Sequence, residues 1–254
     1  MERDEKIREI ALAPVGSALL SPDMRIVERD GWYQTINPSS RSTVGNEVVL
    51  SRVPADEADA VIERTMAEYR ALALPFKWCI NPLTEPDDLG ARLEARGFEW
   101  WPIRGMAIEP RVWTATPRSG ITVEPVTAFD EYLDCWQAGW ESSVVDRAGW
   151  IADHERALAT GRFHFFLARV DGEPAGTAGY ITRPQAVYLV GGNVLPKFRG
   201  RGVYRALLDA RLVRAADAGF ALATTQAREA TSAPILEALG FETLYRARIY
   251  KWSP

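Results

Sequence analysis

The chain of 254 residues holds only two cysteines and two histidines. Cys79 and Cys135 are far apart and form no Cys-x-x-Cys pair, which excludes a disulfide framework and a cysteine-based zinc site. His154 and His164 have no metal-ligand spacing, so no metal is expected. Long apolar runs are also missing. The longest, such as Ala186 to Val190, fall far short of the roughly 20 residues a membrane helix needs. Met1 to Ala13 mixes charges with isolated apolar positions and lacks the apolar core of a signal peptide. A soluble, cytoplasmic protein without a membrane partner is the expectation. The net charge of -4 gives no basic footprint for nucleic acid, so that partner is discounted too. What is present is ordinary globular composition, 47% hydrophobic and 25% charged, in a chain long enough for two small cores.

An internal repeat organises the chain. Leu93-Glu94-Ala95-Arg96-Gly97-Phe98-Glu99 returns as Leu236-Glu237-Ala238-Leu239-Gly240-Phe241-Glu242. Each copy reads as a short helix closed by a glycine at C′, then a Phe entering a strand. Each is preceded by a short apolar strand, Phe76 to Ile80 or Phe220 to Ala223. In the same order further back come a strand (Glu47 to Val53, and Ala186 to Val194) and an amphipathic helix. The first helix has Ala58, Val61, Ile62, Met66 and Tyr69 on one face; the second has Val203, Ala206, Leu207, Ala210 and Val213.

Ahead of these elements, the second copy has a strand at Ile121 to Val126 and helical stretches at Phe129 to Trp140 and Gly149 to Leu158. A hairpin follows, Phe163 to Val170 returning at Gly176 to Ile181 through the turn pair Asp171-Gly172. Thr114 to Gly120, with Pro117, Ser119 and Gly120, reads as a linker.

The stretch Gly191-Gly192-Asn193-Val194-Leu195-Pro196-Lys197-Phe198-Arg199-Gly200-Arg201-Gly202-Val203-Tyr204 carries the chemistry. A strand passes through a glycine-bearing turn into a helix whose first N–H groups lack partners and whose dipole favours an anion. Gly200 and Gly202 let a pyrophosphate reach that backbone, and Arg199 and Arg201 add positive charge. The stretch is not a Walker loop, because no Gly-Lys-Ser/Thr follows. Nor is it a dinucleotide fingerprint, because Arg205 stands at the third glycine position.

The run Val194-x-Pro196-x-x-Arg199-Gly200-Arg201-Gly202-Val203 resembles motif A of the GNAT acyltransferases, Gln/Arg-x-x-Gly-x-Gly/Ala, over roughly Ile121 to Trp252. Tyr204 departs from it, standing where Gly or Ala is usual. The resemblance implies an α/β fold with a mixed sheet, here a tandem with an incomplete N-terminal copy. It implies acetyl-CoA as cosubstrate, held by Asn193, Val194, Leu195, Arg199, Gly200, Arg201, Gly202, Val203, Tyr204 and Arg205. Gly191 and Gly192 sit where a splayed strand would receive pantetheine, although a purely structural bulge requires the same geometry.

The implied reaction is direct attack of a primary amine, expected to be that of a small molecule, on the thioester in a ternary complex. The resemblance places a Tyr general acid four residues before the closing glycine, where this chain has Leu236. Ser232 or Thr231 could replace it, and both also suit helix capping. Glu141, or Asp146, is the candidate base between the two early helices; as carboxylates, both also fit a solvated surface. Trp100, Trp101, Trp136, Trp140 and Trp150 fit either an aromatic acceptor pocket or core. Across the first repeat, at the positions matching Arg199 to Tyr204, stand Asp56-Glu57-Ala58-Asp59-Ala60-Val61, whose carboxylates oppose a pyrophosphate.

The expected domains are therefore 1-112, degenerate and without a cofactor site; 113-120, a linker; and 121-254, the catalytic domain of a monomer or homodimer. Two other functions stay open: a non-catalytic acyl-CoA-binding sensor or scaffold, and a protein lysine or N-terminal acetyltransferase.

Overall fold

A computed structural model describes residues 1–19 and 21–254. By backbone proximity the chain divides into two compact units, Met1–Ala107 with Gln226–Pro254, and Ile108–Thr225. These units do not coincide with the two sequence repeats. The last helix and strand of the second repeat are counted with the first repeat.

The first unit opens with α1 (Arg3–Leu12), begun by a reciprocal capping box between Glu2 and Glu5. The hairpin of β1 (Arg25–Arg29) and β2 (Trp32–Ile36) is followed by β3 (Glu47–Ser51), α2 (Ala58–Ala71), β4 (Phe76–Ile80), α3 (Leu89–Glu94) and β5 (Glu99–Ile108). α7 (Ser232–Ala238) and β11 (Glu242–Trp252) complete it. Strand order is β1-β2-β3-β4-β11-β5, with β3 and β4 parallel and β11 antiparallel to both of its neighbours. All five residues expected on the inner face of α2 are buried. They join Trp32, Phe76 and Trp78 in one core, where Tyr69 stacks on Phe76 at 4.1 Å.

β11 is long in sequence from its neighbours, yet specific contacts seat it. Gly105 on β5 leaves room for the Tyr245 ring, where any side chain would collide. Tyr250 is fully buried and donates to Glu94 at 2.8 Å. Arg104 of β5 binds Glu229 through two nitrogens and Glu237 of α7 through a third contact of 2.9 Å. The sequence repeat also holds atom for atom: Phe98 N–H donates to the Leu93 carbonyl and Phe241 N–H to that of Leu236, with Gly97 and Gly240 left-handed between them.

The second unit contains β6 (Ile121–Pro125), α4 (Asp130–Trp140), α5 (Arg147–Ala159), β7 (Phe163–Val170), β8 (Glu173–Thr182), β9 (Ala186–Val194) and α6 (Val203–Asp217). β10 (Leu222–Arg228) crosses the boundary, and its first residues pair in parallel with β9, giving the order β10-β9-β8-β7-β6. The hairpin turn is as expected, with Asp171 and Gly172 both at positive φ. Two expectations shift. β10 starts at Leu222 rather than Phe220, because the Phe220 N–H is spent closing α6 on the Ala215 carbonyl. The buried face of α6 comprises Val203, Leu207, Leu208, Arg211, Leu212 and Ala215 together with Asp209, whereas Val213 is exposed. No helix among the described residues is long and apolar enough to cross a membrane.

Candidate functional site

The glycine-bearing turn is built by strand pairing at one end and an open helix start at the other. β9 pairs with β10 only from Ala186 to Tyr188 and continues six residues further. Along that continuation its register with β8 shifts between Thr177 and Gly179, and Gly191 takes φ +62°. Leu195 N–H is spent on the Ala175 carbonyl, so it has no free proton to offer a ligand. Phe198 then anchors the loop, 5% exposed, and Gly200 and Gly202 follow at φ +75° and +89°. Those angles are the left-handed region that glycine occupies without penalty.

Gly202 is the N-cap of α6, and no side chain among the described residues caps the helix. The first-turn N–H groups have no intrahelical partners, and they lie at the positive end of the dipole. A Cβ at Gly200 would meet open space, which leaves the approach clear. Arg199 and Arg201 are exposed beside it. Arg199 reaches the Val194 carbonyl at 3.3 Å, and Arg201 makes one 3.4 Å surface contact with Asp171. These residues fit a pyrophosphate: backbone donors, open space at Gly200, and two exposed cations. Arg205 points elsewhere, its guanidinium bound to Asp209 and the Thr114 carbonyl.

Tyr204, the departure from the motif, turns inward. Its ring lies 3.3 Å from the place a Cβ would occupy on Gly192, so glycine at 192 makes the room that Tyr204 needs. Burial pushes the Tyr204 hydroxyl above its ordinary pKa, which keeps it protonated, while Arg211 pulls the other way. Arg211 is 2% exposed and donates to the Leu207 and Gly179 carbonyls. Desolvation lowers its pKa from the usual arginine range.

Asn193 links β9 to α4. Its side-chain oxygen accepts the Thr177 N–H at 3.4 Å, and its Nδ2 is buried without a partner among the described residues. The Asn193 side chain fills the space a Cβ would need on Gly139 of α4. The end of α4 is thus held against the same strand. Beyond Gly139, Glu141 ends the helix in a left-handed conformation, φ 49°, with its exposed carboxylate engaged by no partner among the described residues. Gln137 ties down the loop, its backbone carbonyl taking Ser142 N–H and its side chain taking Val144 N–H. Trp136 and Trp140 lie one turn apart on α4, Trp136 against Trp150 at 5.6 Å, and Trp140 is 41% exposed. Asp146 is occupied as the N-cap of α5.

His154 is core: it stacks on Trp150, bonds that residue's carbonyl, and burial pushes its pKa down to about 4. His164 stacks on Tyr180, and desolvation lowers its pKa as well. Trp100 and Trp101 lie in the first unit under the guanidinium groups of Arg248 and Arg228. No cluster of potential metal ligands occurs among the described residues.

Ser232, at the start of α7 in the first unit, does not cap that helix; its hydroxyl accepts the Arg228 N–H at 3.1 Å. Thr231 is the N-cap but makes no side-chain cap bond. Leu236 is 2% exposed, part of the apolar face of α7.

The first repeat shows the contrast. Its helix start places Glu57 at the N-cap, where α6 has Gly202, a two-residue shift from the sequence matching. β3 and β4 pair in parallel only at Glu47 and Val48, as β9 and β10 do at their start. Here the divergence is filled by the chain itself. Asn81 Nδ2 binds the Val49 carbonyl, Glu85 N–H binds that of Ser51, and Val53 N–H binds that of Glu85. A cleft of about 370 Å³ nearby is lined by Arg29, Arg52 and Arg64 but equally by Asp30, Glu57 and Glu68, which leaves it without preference for an anion.

Residues 126–241 match the family model described as the acetyltransferase (GNAT) family. No curated protein matches the chain. Among solved structures it is similar to a GCN5-related N-acetyltransferase from Kribbella flavida, at 17% identity and TM-score 0.70, covering 98% of this chain and 95% of that one. It is also similar to a tandem GNAT protein from the clavulanic acid biosynthesis pathway, at 14% identity and TM-score 0.61, with coverage of 98% and 95%. A conserved protein of unknown function from Staphylococcus epidermidis gives 13% identity and TM-score 0.67 over 91% of this chain and 94% of that one. These likenesses extend over both repeats.

Proposed function

We propose that the protein, whose residues 126–241 match the acetyltransferase (GNAT) family model, is an N-acetyltransferase that moves the acetyl group of acetyl-CoA onto the primary amine of a small molecule. The observation that carries this reading is the uncapped start of α6 behind left-handed Gly200 and Gly202, with Arg199 and Arg201 beside it. The amine attacks directly in a ternary complex: the new N–C bond forms, the C–S bond breaks, coenzyme A leaves as thiol, and the nitrogen gives up its proton.

In this reading the backbone from Gly202 to Arg205 binds the pyrophosphate, and the strand from Gly191 to Val194 receives the pantetheine and thioester. Glu141 receives the proton. It stands at the C-terminus of α4, where the helix dipole favours a cation. An ammonium group is therefore drawn there before it is deprotonated. The 1–107 region is a repeat without a cofactor site, its strand gap being filled by residues 81–85. A cytoplasmic monomer or homodimer fits the two free, buried cysteines.

Leu236 favours a second reading, an acyl-CoA-binding sensor or scaffold without turnover, because it leaves α7 with no hydroxyl at that position. The two separate by thiol release: an enzyme releases coenzyme A thiol when an amine is added, and a sensor binds acetyl-CoA without release. Protein acetylation is the outcome if peptides, but no small amines, support release.

A further inference from the structure

The segment between the repeats is strapped down rather than slack. Asp209, in the second turn of α6 and 8% exposed, collects three donors: Trp113 Nε1 at 2.8 Å, Thr116 N–H at 3.1 Å and Arg205 Nε at 2.9 Å. Arg205 also donates to the Thr114 carbonyl at 3.0 Å and lies over the Trp113 ring at 4.1 Å. Residues 113–116 are thereby fixed along the first two turns of α6. At the other end, the Gly120 carbonyl accepts Asp171 N–H at 2.8 Å.

Between these anchors Arg118 is delivered onto the glycine turn. Its Cδ, Nε and Cζ lie 2.7, 2.8 and 3.1 Å from where a Cβ on Gly202 would be. The slot left by the missing side chain of Gly202 is thus occupied by the stem and head of Arg118. Arg118 is an exposed residue, and no hydrogen bond or ion pair engages its guanidinium among the described residues. A cation delivered over the positive end of an uncapped helix is repelled by it, and an anion between them relieves the repulsion. A guanidinium fork matches phosphate oxygens in particular.

We propose that Arg118 is a phosphate-binding residue of the acetyl-CoA site and that Asp209 is its positioning residue, acting through the 113–116 strap. This rests on the proposed function and adds a residue from outside the glycine motif. The shared chemistry is phosphate, supplied either by the pyrophosphate or by the 3′-phosphate of coenzyme A.

The test is calorimetric titration of acetyl-CoA and of its 3′-dephospho form into the full chain and its variants. Arg118→Ala weakens acetyl-CoA binding about tenfold to a hundredfold, as expected for a lost charge-assisted bond, and Arg118→Lys restores part of it. The variant's affinity also falls less steeply with added salt than that of the parent protein. An equal loss with the dephospho form assigns Arg118 to the pyrophosphate, and a loss confined to acetyl-CoA assigns it to the 3′-phosphate. Asp209→Asn gives a similar loss, and the double variant is no worse than Arg118→Ala alone, because both act through one guanidinium. Binding by Arg118→Ala within twofold of the parent overturns the proposal and leaves the proposed function standing. Failure of the parent to bind acetyl-CoA overturns both.

Discussion

Replacing Gly202 with Asp puts a carboxylate at the mouth of the α6 N-terminus. Two effects follow, and they are separable. The first is on the fold: at φ +89° a residue with a Cβ pays about 1–2 kcal/mol, and the Arg118 stem 2.7 Å away must swing aside. That stem is flexible and exposed, so stability falls by this modest amount and no more. The second effect is on the ligand. A carboxylate at about 6 Å from each of two phosphate charges, with an effective dielectric of about 40, opposes binding by about 3 kcal/mol, or roughly a hundredfold in Kd. Capture of Arg118 by the new carboxylate adds to the loss.

The assay is calorimetry with acetyl-CoA, paired with urea denaturation to measure the cost to the fold. Glu57→Gln serves as the control, since Glu57 holds the same place on α2; it leaves acetyl-CoA affinity unchanged. Acetyl-CoA binding by Gly202→Asp within threefold of the parent would refute the reasoning, as would an equal loss in the Glu57 variant.

If Glu141 takes the amine's proton, Glu141→Gln lowers kcat at least tenfold while acetyl-CoA affinity stays within twofold, measured by thiol release and calorimetry; unchanged kcat dismisses the role. Gly139→Ala drives a methyl into the Asn193 side chain and costs about 1–3 kcal/mol in urea denaturation, and adding Asn193→Ala recovers part of that cost if the contact is as described. His154 has its pKa depressed to about 4 by burial. The unfolded chain therefore binds a proton that the fold refuses between the two values, so stability is undiminished above about pH 6.5 and falls by up to about 3 kcal/mol as pH drops toward 4. In denaturation curves taken across that window, His154→Gln flattens the slope. Removing the network of three guanidinium nitrogens and two carboxylates with Arg104→Leu leaves Glu229 and Glu237 without their shared partner and lowers the melting temperature; an unchanged melt shows that the network does not hold α7 in place.

Local chemistry was readable from the sequence, because its causes are local. Asp171-Gly172 makes the hairpin turn wherever it is placed, and Gly97 and Gly240 stop helices by the same left-handed step. The glycine motif and the opening of α6 were visible for the same reason. The path of β11 was not, since its place between β4 and β5 depends on Tyr245 meeting Gly105 and on Arg104 meeting carboxylates 125 and 133 residues away. Nor was Arg118, which looks like one more charge in a polar linker until Asp209 shows where the strap lies. Periodicity misplaces the inner face of α6 because it assigns Asp and Arg to water, whereas Asp209 and Arg211 are buried with backbone and side-chain partners. Ser232 resembled a cap by residue type, but its hydroxyl is taken by the Arg228 N–H behind it.

The most direct test of the central claim is a single titration of acetyl-CoA into the protein, followed in the same sample by detection of free thiol as a panel of primary amines is added. The account predicts saturable binding and thiol release that depends on the amine. Absence of binding contradicts the assignment of the α6 N-terminus as a pyrophosphate site, and with it the proposed activity.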